Sequence, residues 1–520
     1  MGSAANNASL TSIGAPQSVA TARFASLTLA SLVLDRVFAF GFTVVMSAAF
    51  GASKDLDRYL LALAPPAVIG ILIGDLIYSQ LLAELIPNHT SGRVDQRWKV
   101  VIWTVAGLCA CNIMYAFSWA GAVAMLQPSP DGDKLMELGV ILSPLILLSG
   151  IVALGGTIFV AERAYFAAAS RIPVASFVSL LALFGWRQIT PGVEALAASV
   201  LTGAIVAAMV SGFAGARMLG LPWLPSLDDG RAIFHRLGRA SLAQLFAGTL
   251  AQASIPVERI VGAGVGSGVV SALNYGRVLV SPPLLVGQSI ATASYPRFVQ
   301  MRAEADPARY RELGRTNGIV VFLLLPASLL LVLLASPLVR ILYLRGTFDE
   351  RAAATTTICA AVLALGLVPI ALNAVVTRFL YAEQMSERVA IASGATFATY
   401  LVLALPFGYA AGYLGLAVAS VASSLFGLSV VLLAVRGKTY RGWEHLALPS
   451  FLRSGIAGLA MSVVALATEG LFSAPRGSLA AIGGSAIGVA AYFGTAVLLK
   501  SPELRSTLAV FARGRSGSRS

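Results

Sequence analysis

The sequence predicts an all-α polytopic membrane protein: about fourteen transmembrane helices, arranged as two six-helix lobes in parallel repeat plus two C-terminal helices. Three observations carry this expectation. The 520 residues are 57% hydrophobic and only 12% charged, whereas a soluble domain carries roughly a quarter charged residues. Apolar runs of about 20 residues, the length needed to span a bilayer, recur from near residue 26 to residue 500. Features of the first six runs then return at an offset of about 220 residues.

Taken in order, the runs centre near residues 38, 73, 110, 150, 180, 206, 250, 282, 328, 366, 398, 424, 460 and 488, separated by charged or Pro/Gly-rich breaks. The fifth, Ile172 to Trp186, is short, and Pro173 is expected to open it at the first helical turn. Pro65 and Pro66 fall inside helix two, and Pro282 and Pro283 inside helix eight. Each removes a backbone donor and frees a carbonyl, so kinks that shape a cavity are expected there. Residues 1–22 are polar and read as a disordered tail without a cleavable signal peptide. The N-lobe is expected over 23–220, the C-lobe over 221–440, helices thirteen and fourteen over 441–502, and a basic tail over 503–520.

The repeat rests on Arg36 echoed by Arg259, Pro65-Pro66 by Pro282-Pro283, Arg163-Ala-Tyr165 by Arg378–Tyr381, and residues 195–199 by 415–420. An even number of spans per repeat gives two lobes of the same orientation about an axis along the membrane normal, with a cleft between them. The net charge of +13 does not form a nucleic-acid surface, which would interleave basic and aromatic residues. With the N-terminus inside, 25 of the 37 Lys and Arg residues fall on the cytoplasmic side, 8 outside and 4 within helices. That asymmetry predicts both termini in the cytoplasm of a multi-pass membrane protein.

Ionisable groups left in the membrane are costly and normally face a wet cavity or a partner. Here they are Asp35 and Arg36 on helix one, Asp75 on helix two, Glu258 and Arg259 on helix seven, Arg277 on helix eight and Arg378 on helix ten. Guanidinium forks pair bidentately with phosphate oxygens, so Arg36 and Arg277, with Arg259 and Arg378, are candidates for holding a diphosphate. Such a role asks for guanidiniums facing a hollow and not locked into ion pairs. The competing role pairs Glu258 and Arg259 with other helices and lets Arg378 and Arg163 snorkel to the interface. Asp35, Asp57, Asp75 and Glu258 are candidates for ion or proton coupling or for gating; Asp57 also opens helix two, where it complements the helix dipole.

Cys109, Cys111 and Cys359 lie in apolar runs without metal-ligand spacing and read as inert thiols, while His89, His235 and His445 fall in cytoplasmic loops. No metal cluster, phosphate-cradling loop or nucleophile elbow is present in the sequence, so no cofactor, no metal and no enzymatic activity are expected. Transport driven by an ion gradient, the membrane potential or a partner fits instead.

Several stretches are more specific: Arg36-Val37-Phe38, Phe50-Gly51-Ala52 with Asp57, Tyr78-Ser79-Gln80, Val257-Glu258-Arg259, Val270–Arg277, Ala291–Arg297, Arg345-Gly346-Thr347-Phe348-Asp349 and Arg378–Ala382. In this order they resemble the MurJ/MviN lipid II flippase family of the multidrug/oligosaccharidyl-lipid/polysaccharide exporter superfamily, from about Ser26 to Arg436. The resemblance implies fourteen helices, two six-helix lobes, a V-shaped cationic cavity and alternating access. It further implies an undecaprenyl-diphosphate-linked saccharide as substrate, lipid II or a related lipid-linked oligosaccharide, with membrane lipids and cell-envelope biosynthesis proteins as candidate partners. The alternatives are an exopolysaccharide-repeat flippase and a cation-coupled multidrug antiporter. The chain departs from the family pattern in having Phe42-Thr43 and Gly70-Ile71 where cavity arginines are usual, and Gly276 in place of the acid before Arg277.

Overall fold

Long apolar runs leave backbone groups no partner in lipid except one another, so helices are the outcome. The computed structural model describes residues 14–85, 94–126, 130–220, 248–250, 252–435, 448–471 and 477–504, and among them only helices and their connections occur. The helices are α1 (Gly14–Phe50), α2 (Lys54–Leu85), α3 (Val94–Leu126), α4 (Pro130–Leu142), α5 (Leu145–Ala161), α6 (Tyr165–Ile189), α7 (Glu194–Leu219) and α8 (Ser254–Val265). They continue with α9 (Val269–Ala303), α10 (Arg309–Tyr343), α11 (Glu350–Leu365), α12 (Leu367–Ala382), α13 (Ser386–Val435), α14 (Leu448–Leu471) and α15 (Gly477–Leu498). Eleven stretches are long and apolar enough to cross a membrane. The pairs α4–α5 and α11–α12 each make one broken crossing. The 50 residues of α13 make two, joined where Gly412 takes φ +62°. With the shorter α8 and α15 the topology is the fourteen-crossing one the sequence predicts. Helix α1 begins already at Gly14, inside the stretch read as a tail, and the three histidines lie outside the described residues.

The chain divides into two compact units, Met1–Met46 with Arg58–Thr249, and Ser47–Asp57 with Leu250–Ser520. Ile77, Leu81, Trp98, Leu108, Leu154 and Ile158 centre the core of the first. In the second, Val320, Leu324, Ala371, Val375, Phe379 and Leu380 form one core cluster. A further cluster around Phe322, Met461 and Tyr492 fastens α14 and α15 onto α10.

A proline inside a membrane helix strands the carbonyl four residues earlier, and that carbonyl needs another donor. Pro173 does not open its helix as the sequence suggests. It lies two turns inside α6, where the Ser31 hydroxyl of α1 donates to the stranded Ala169 carbonyl. On α9, Pro282 strands Val278, whose carbonyl accepts from Ser281 Oγ at 2.8 Å. On α10, Pro326 strands Phe322, whose carbonyl accepts from the Tyr492 hydroxyl of α15 at 2.7 Å.

Four helix endings share one geometry. Arg163, Ala305, Gln384 and Lys500 all take positive φ, between 49° and 61°. Each sits just past a helix with two backbone bonds closing the turn, as in Arg163 N–H to Val160 and Ala164 N–H to Phe159, or Gln384 N–H to Tyr381 and Met385 N–H to Leu380. All four follow even-numbered crossings and so belong to one side of the topology. The glutamate before two of these turns is clasped alike: Glu162 by Arg97 at 2.7 Å and Glu383 by Arg309 at 2.9 Å. The counterpart of Arg163 is therefore Gln384, not Arg378 as the sequence match suggested; Arg378 lies six residues earlier, on the face of α12.

Most motif residues singled out in the sequence have a structural duty in the second unit. Residues 47–57 thread through it: the Tyr275 hydroxyl donates to the Gly51 carbonyl at 2.8 Å, and Thr347 N–H donates to the Ala48 carbonyl at 3.0 Å. Gly346 has φ +63° and a Cβ there would collide with the Ala48 carbonyl oxygen, so only glycine fits. Phe348 packs on Tyr275 and Tyr343, with ring centroids 5.4 and 5.9 Å apart. Asp349 caps α11 by accepting from Ala352 N–H at 2.8 Å.

Candidate anion-binding cavity in the second unit

Helices α8 and α9 form an antiparallel pair across the turn at Gly266–Gly268. Glu258 and Arg277 each lie about ten residues from that turn, and at 1.5 Å rise per residue they reach the same depth. They meet as an ion pair, Arg277 Nη2 to Glu258 Oε2 at 2.5 Å. The glutamate side chain is 8% exposed and the arginine 41%. The Arg277 guanidinium is thus held by one carboxylate on one side and open on the other.

Its open side faces a cavity of about 640 Å³ enclosed by α8, α9, α12 and α13, within the size range of ligand sites. Arg378 on α12 is exposed and lines the same cavity. Hydroxyls line it too, and three of them donate within their own helices: Thr396 Oγ1 to Ala392, Ser424 Oγ to Ser420, and Thr377 Oγ1 to Asn373 Oδ1, at 2.8, 2.8 and 3.1 Å. The charged donors facing the space are the two guanidiniums, and those three hydroxyls present lone pairs able to accept from a ligand's hydroxyl groups. Two cations against one carboxylate leave the cavity with one excess positive charge.

The remaining site candidates lie elsewhere. Arg259 follows Glu258 on α8, half-buried and outside the cavity lining. Arg36 is exposed on α1, in the first unit. Its neighbour Asp35 accepts from Ser176 Oγ at 2.5 Å, beside Phe38 and Phe177 in ring contact at 5.0 Å. Asp75 is exposed on α2. Asp57 is 3% exposed and spans the start of α9, accepting from Gly268 N–H at 2.6 Å and from Ser271 N–H and Oγ at 2.7 and 2.5 Å. Pro65 and Pro66 are interior to α2, and Pro282 and Pro283 to α9. Arg378 meets the expectation of a guanidinium facing a hollow without a carboxylate partner among the described residues; Arg277 meets it in part, because Glu258 already holds it. The sequence signal for that pair was the equal spacing of the two residues about the glycine-rich turn.

The family model described as "Lipid II flippase MurJ" matches residues 46–482. The chain belongs to the MurJ lipid II flippase family. Among MurJ relatives, the "Lipid II flippase MurJ" of Burkholderia cenocepacia is 26% identical over 389 residues, covering 71% of this chain and 75% of the relative. A solved MurJ, titled "Lipid II flippase MurJ, inward closed conformation", superposes with a TM-score of 0.77 at 17% identity, covering 91% of this chain and 98% of that one. An inward-facing multidrug resistance MATE family transporter of the MOP superfamily follows at TM-score 0.57 and 14% identity, covering 77% and 93%. These two likenesses concern the fold, which is common to the MurJ and MATE families.

Proposed function

We propose that this chain is a flippase moving a polyprenyl-diphosphate-linked saccharide, lipid II or a related lipid-linked oligosaccharide, from the cytoplasmic to the periplasmic leaflet by alternating access. Membership of the MurJ family supports the substrate class, and the observation that carries it to residues is a 640 Å³ cavity with Arg277 and Arg378 facing its interior. Guanidiniums in a low-dielectric setting are suited to an anionic diphosphate, and they oppose entry of an organic cation, which counts against the multidrug antiporter. The hydroxyl lone pairs beside them suit a sugar. Arg36 and Arg259 are kept as candidates for holding an anionic headgroup on the sequence pattern alone. The lobes are assigned to 23–220 and 221–440, the added helix pair to 441–502, and both termini to the cytoplasm of a bacterial inner membrane.

The test is complementation. In a strain depleted of its own flippase, Arg277→Ala and Arg378→Ala, each present in the membrane at wild-type level, are expected to abolish growth and lipid-linked precursor export. Full complementation by both variants would overturn the assignment.

A further inference from the structure

Arg277 and Arg378 line one cavity yet stand at different depths in it. Two close contacts fix the register of α9 against the broken crossing α11–α12. A Cβ on Gly276 would lie 3.0 Å from Ala360 N, and one on Gly287 would lie 2.6 Å from Ala371 Cβ. Gly276 and Gly287 are as many residues apart along α9 as Ala360 and Ala371 are across the break, so the two crossings run parallel and in step. Arg277 directly follows Gly276. Ten residues lead from Arg277 to Gly287 and seven from Ala371 to Arg378, together about 25 Å at 1.5 Å of rise per residue. That separation exceeds the combined reach of two arginine side chains. A diphosphate, with two phosphorus atoms joined through one oxygen, is several times shorter, so one headgroup cannot touch both guanidiniums at once.

Each level is equipped to hold an anion by itself. Arg378 is exposed and sits one turn from the end of α12. Arg277 sits two turns from the start of α9. Only its Nη2 meets Glu258, at 2.5 Å, and its side chain is 41% exposed, so its other N–H groups reach the cavity without breaking that pair. Between the two levels the lining is polar, with Asn373 and Thr377 on α12 and Ser254 on α8, one turn before Glu258. A saccharide therefore has hydroxyl and amide partners along the interval. Two moderate sites in series let an ion enter and leave, where one tight clamp would retain it.

On the diphosphate reading and the orientation given under the proposed function, the end of α12 faces the cytoplasm and the start of α9 the periplasm. We propose that Arg378 and Arg277 are successive stations for the substrate diphosphate: Arg378 captures it at the cytoplasmic mouth of the cavity, and Arg277 receives it about 25 Å deeper, the saccharide passing along the polar lining between them. Arg378 is thus the capture residue and Arg277 the residue from which translocation starts. The stations are farther apart than the Debye length of about 8 Å at physiological ionic strength, so small anions occupy them independently.

The experiment has an equilibrium arm and a transport arm, both on the full chain. Equilibrium dialysis of radiolabelled inorganic diphosphate against the chain in phosphatidylcholine nanodiscs compares the wild type with Arg378→Gln and with Glu258→Gln/Arg277→Gln, which removes both members of the buried pair together. The triple variant gives the background from loop cations. The wild type is expected to bind two diphosphates per chain above that background, and each of the other variants one. In proteoliposomes, Arg378→Gln is expected to raise the half-saturating concentration of a fluorescent short-chain prenyl-diphospho-N-acetylglucosamine on the order of a hundredfold, the worth of a charge-assisted contact, far more than it lowers the maximal rate. The pair variant is expected to do the reverse. Arg378 is exposed, so its variant folds whatever becomes of the buried pair, and the transport arm decides on it alone. One diphosphate per wild-type chain, or an Arg378→Gln effect confined to the maximal rate, overturns the two stations while leaving the diphosphate site standing. Wild-type binding no greater than that of the triple variant overturns both.

Discussion

At the scale of single residues, a carbonyl stranded by proline is a debt that lipid cannot settle. Ser31, Ser281 and Tyr492 each donate to one such carbonyl. For Tyr492 the explanation can be tested through the proline itself. Tyr492→Phe is expected to cost about 0.6–1.7 kcal/mol, the span measured for hydrogen bonds inside membrane bundles. In a Pro326→Ala background the alanine N–H can bond the Phe322 carbonyl, so the same Tyr492→Phe change should cost much less. Thermal unfolding of the four proteins in detergent gives the coupling; equal costs in both backgrounds would rule the account out. Ser281, three residues from Val278 on one helix, follows the local back-bonding pattern, but the Ser31 and Tyr492 donors were not legible in the sequence, because their partners are fixed by helix packing. The same holds for Asp57. Its place near the start of helix two suggested service to that helix's dipole, and its carboxylate instead answers the N–H groups of Gly268 and Ser271, over two hundred residues away.

At the scale of helices, positions were legible almost everywhere, since a run of about 20 apolar residues bounded by charge or glycine admits few other structures. Two starts were exceptions: α1 begins inside the stretch read as a tail, and in α6 Pro173 imitates an N-terminal proline, where only the Ser31 donor shows how a helix passes through it. Endings carry their own energetics. The Arg309–Glu383 clasp is largely withdrawn from solvent, with side chains 21% and 8% exposed, whereas Arg340–Glu350 is open at 48% and 63%. Glu383→Gln should therefore destabilise by about 3 kcal/mol, as losing one partner of a buried pair does, against at most about 1 kcal/mol for Glu350→Gln. Denaturation midpoints in detergent decide it; equal losses would mean that burial does not set the strength of the clasp.

At the scale of the whole molecule, the added pair α14–α15 is fastened at one end by Glu503, which accepts from Ser450 and Ser501 hydroxyls. Burial opposes ionisation of Glu503, but those hydrogen bonds, with the Arg453 charge, outweigh it and hold the carboxyl below its ordinary range. A depressed folded value means the fastening is fully present above the unfolded value of about 4.3 and is lost as pH falls through the folded one. Hydrogen exchange along α14 should accordingly rise on acidification below that range in the wild type, and Glu503→Gln should remove this pH dependence. A wild-type profile flat to acid would contradict it. The bundle's fourteen-crossing plan was readable from composition and the recurrence of apolar runs. The cavity was readable only as a set of stray arginines, since the depth shared by Glu258 and Arg277 depends on where α8 turns back into α9.

The threading of residues 47–57 through the second unit bears on how this gene can be divided. A fragment cut at residue 250, however natural the boundary looks on paper, would leave the opening amides of α9 without Asp57, and Tyr275 without the Gly51 carbonyl. The second unit of the protein is thus not encoded contiguously, and a single cut cannot free it.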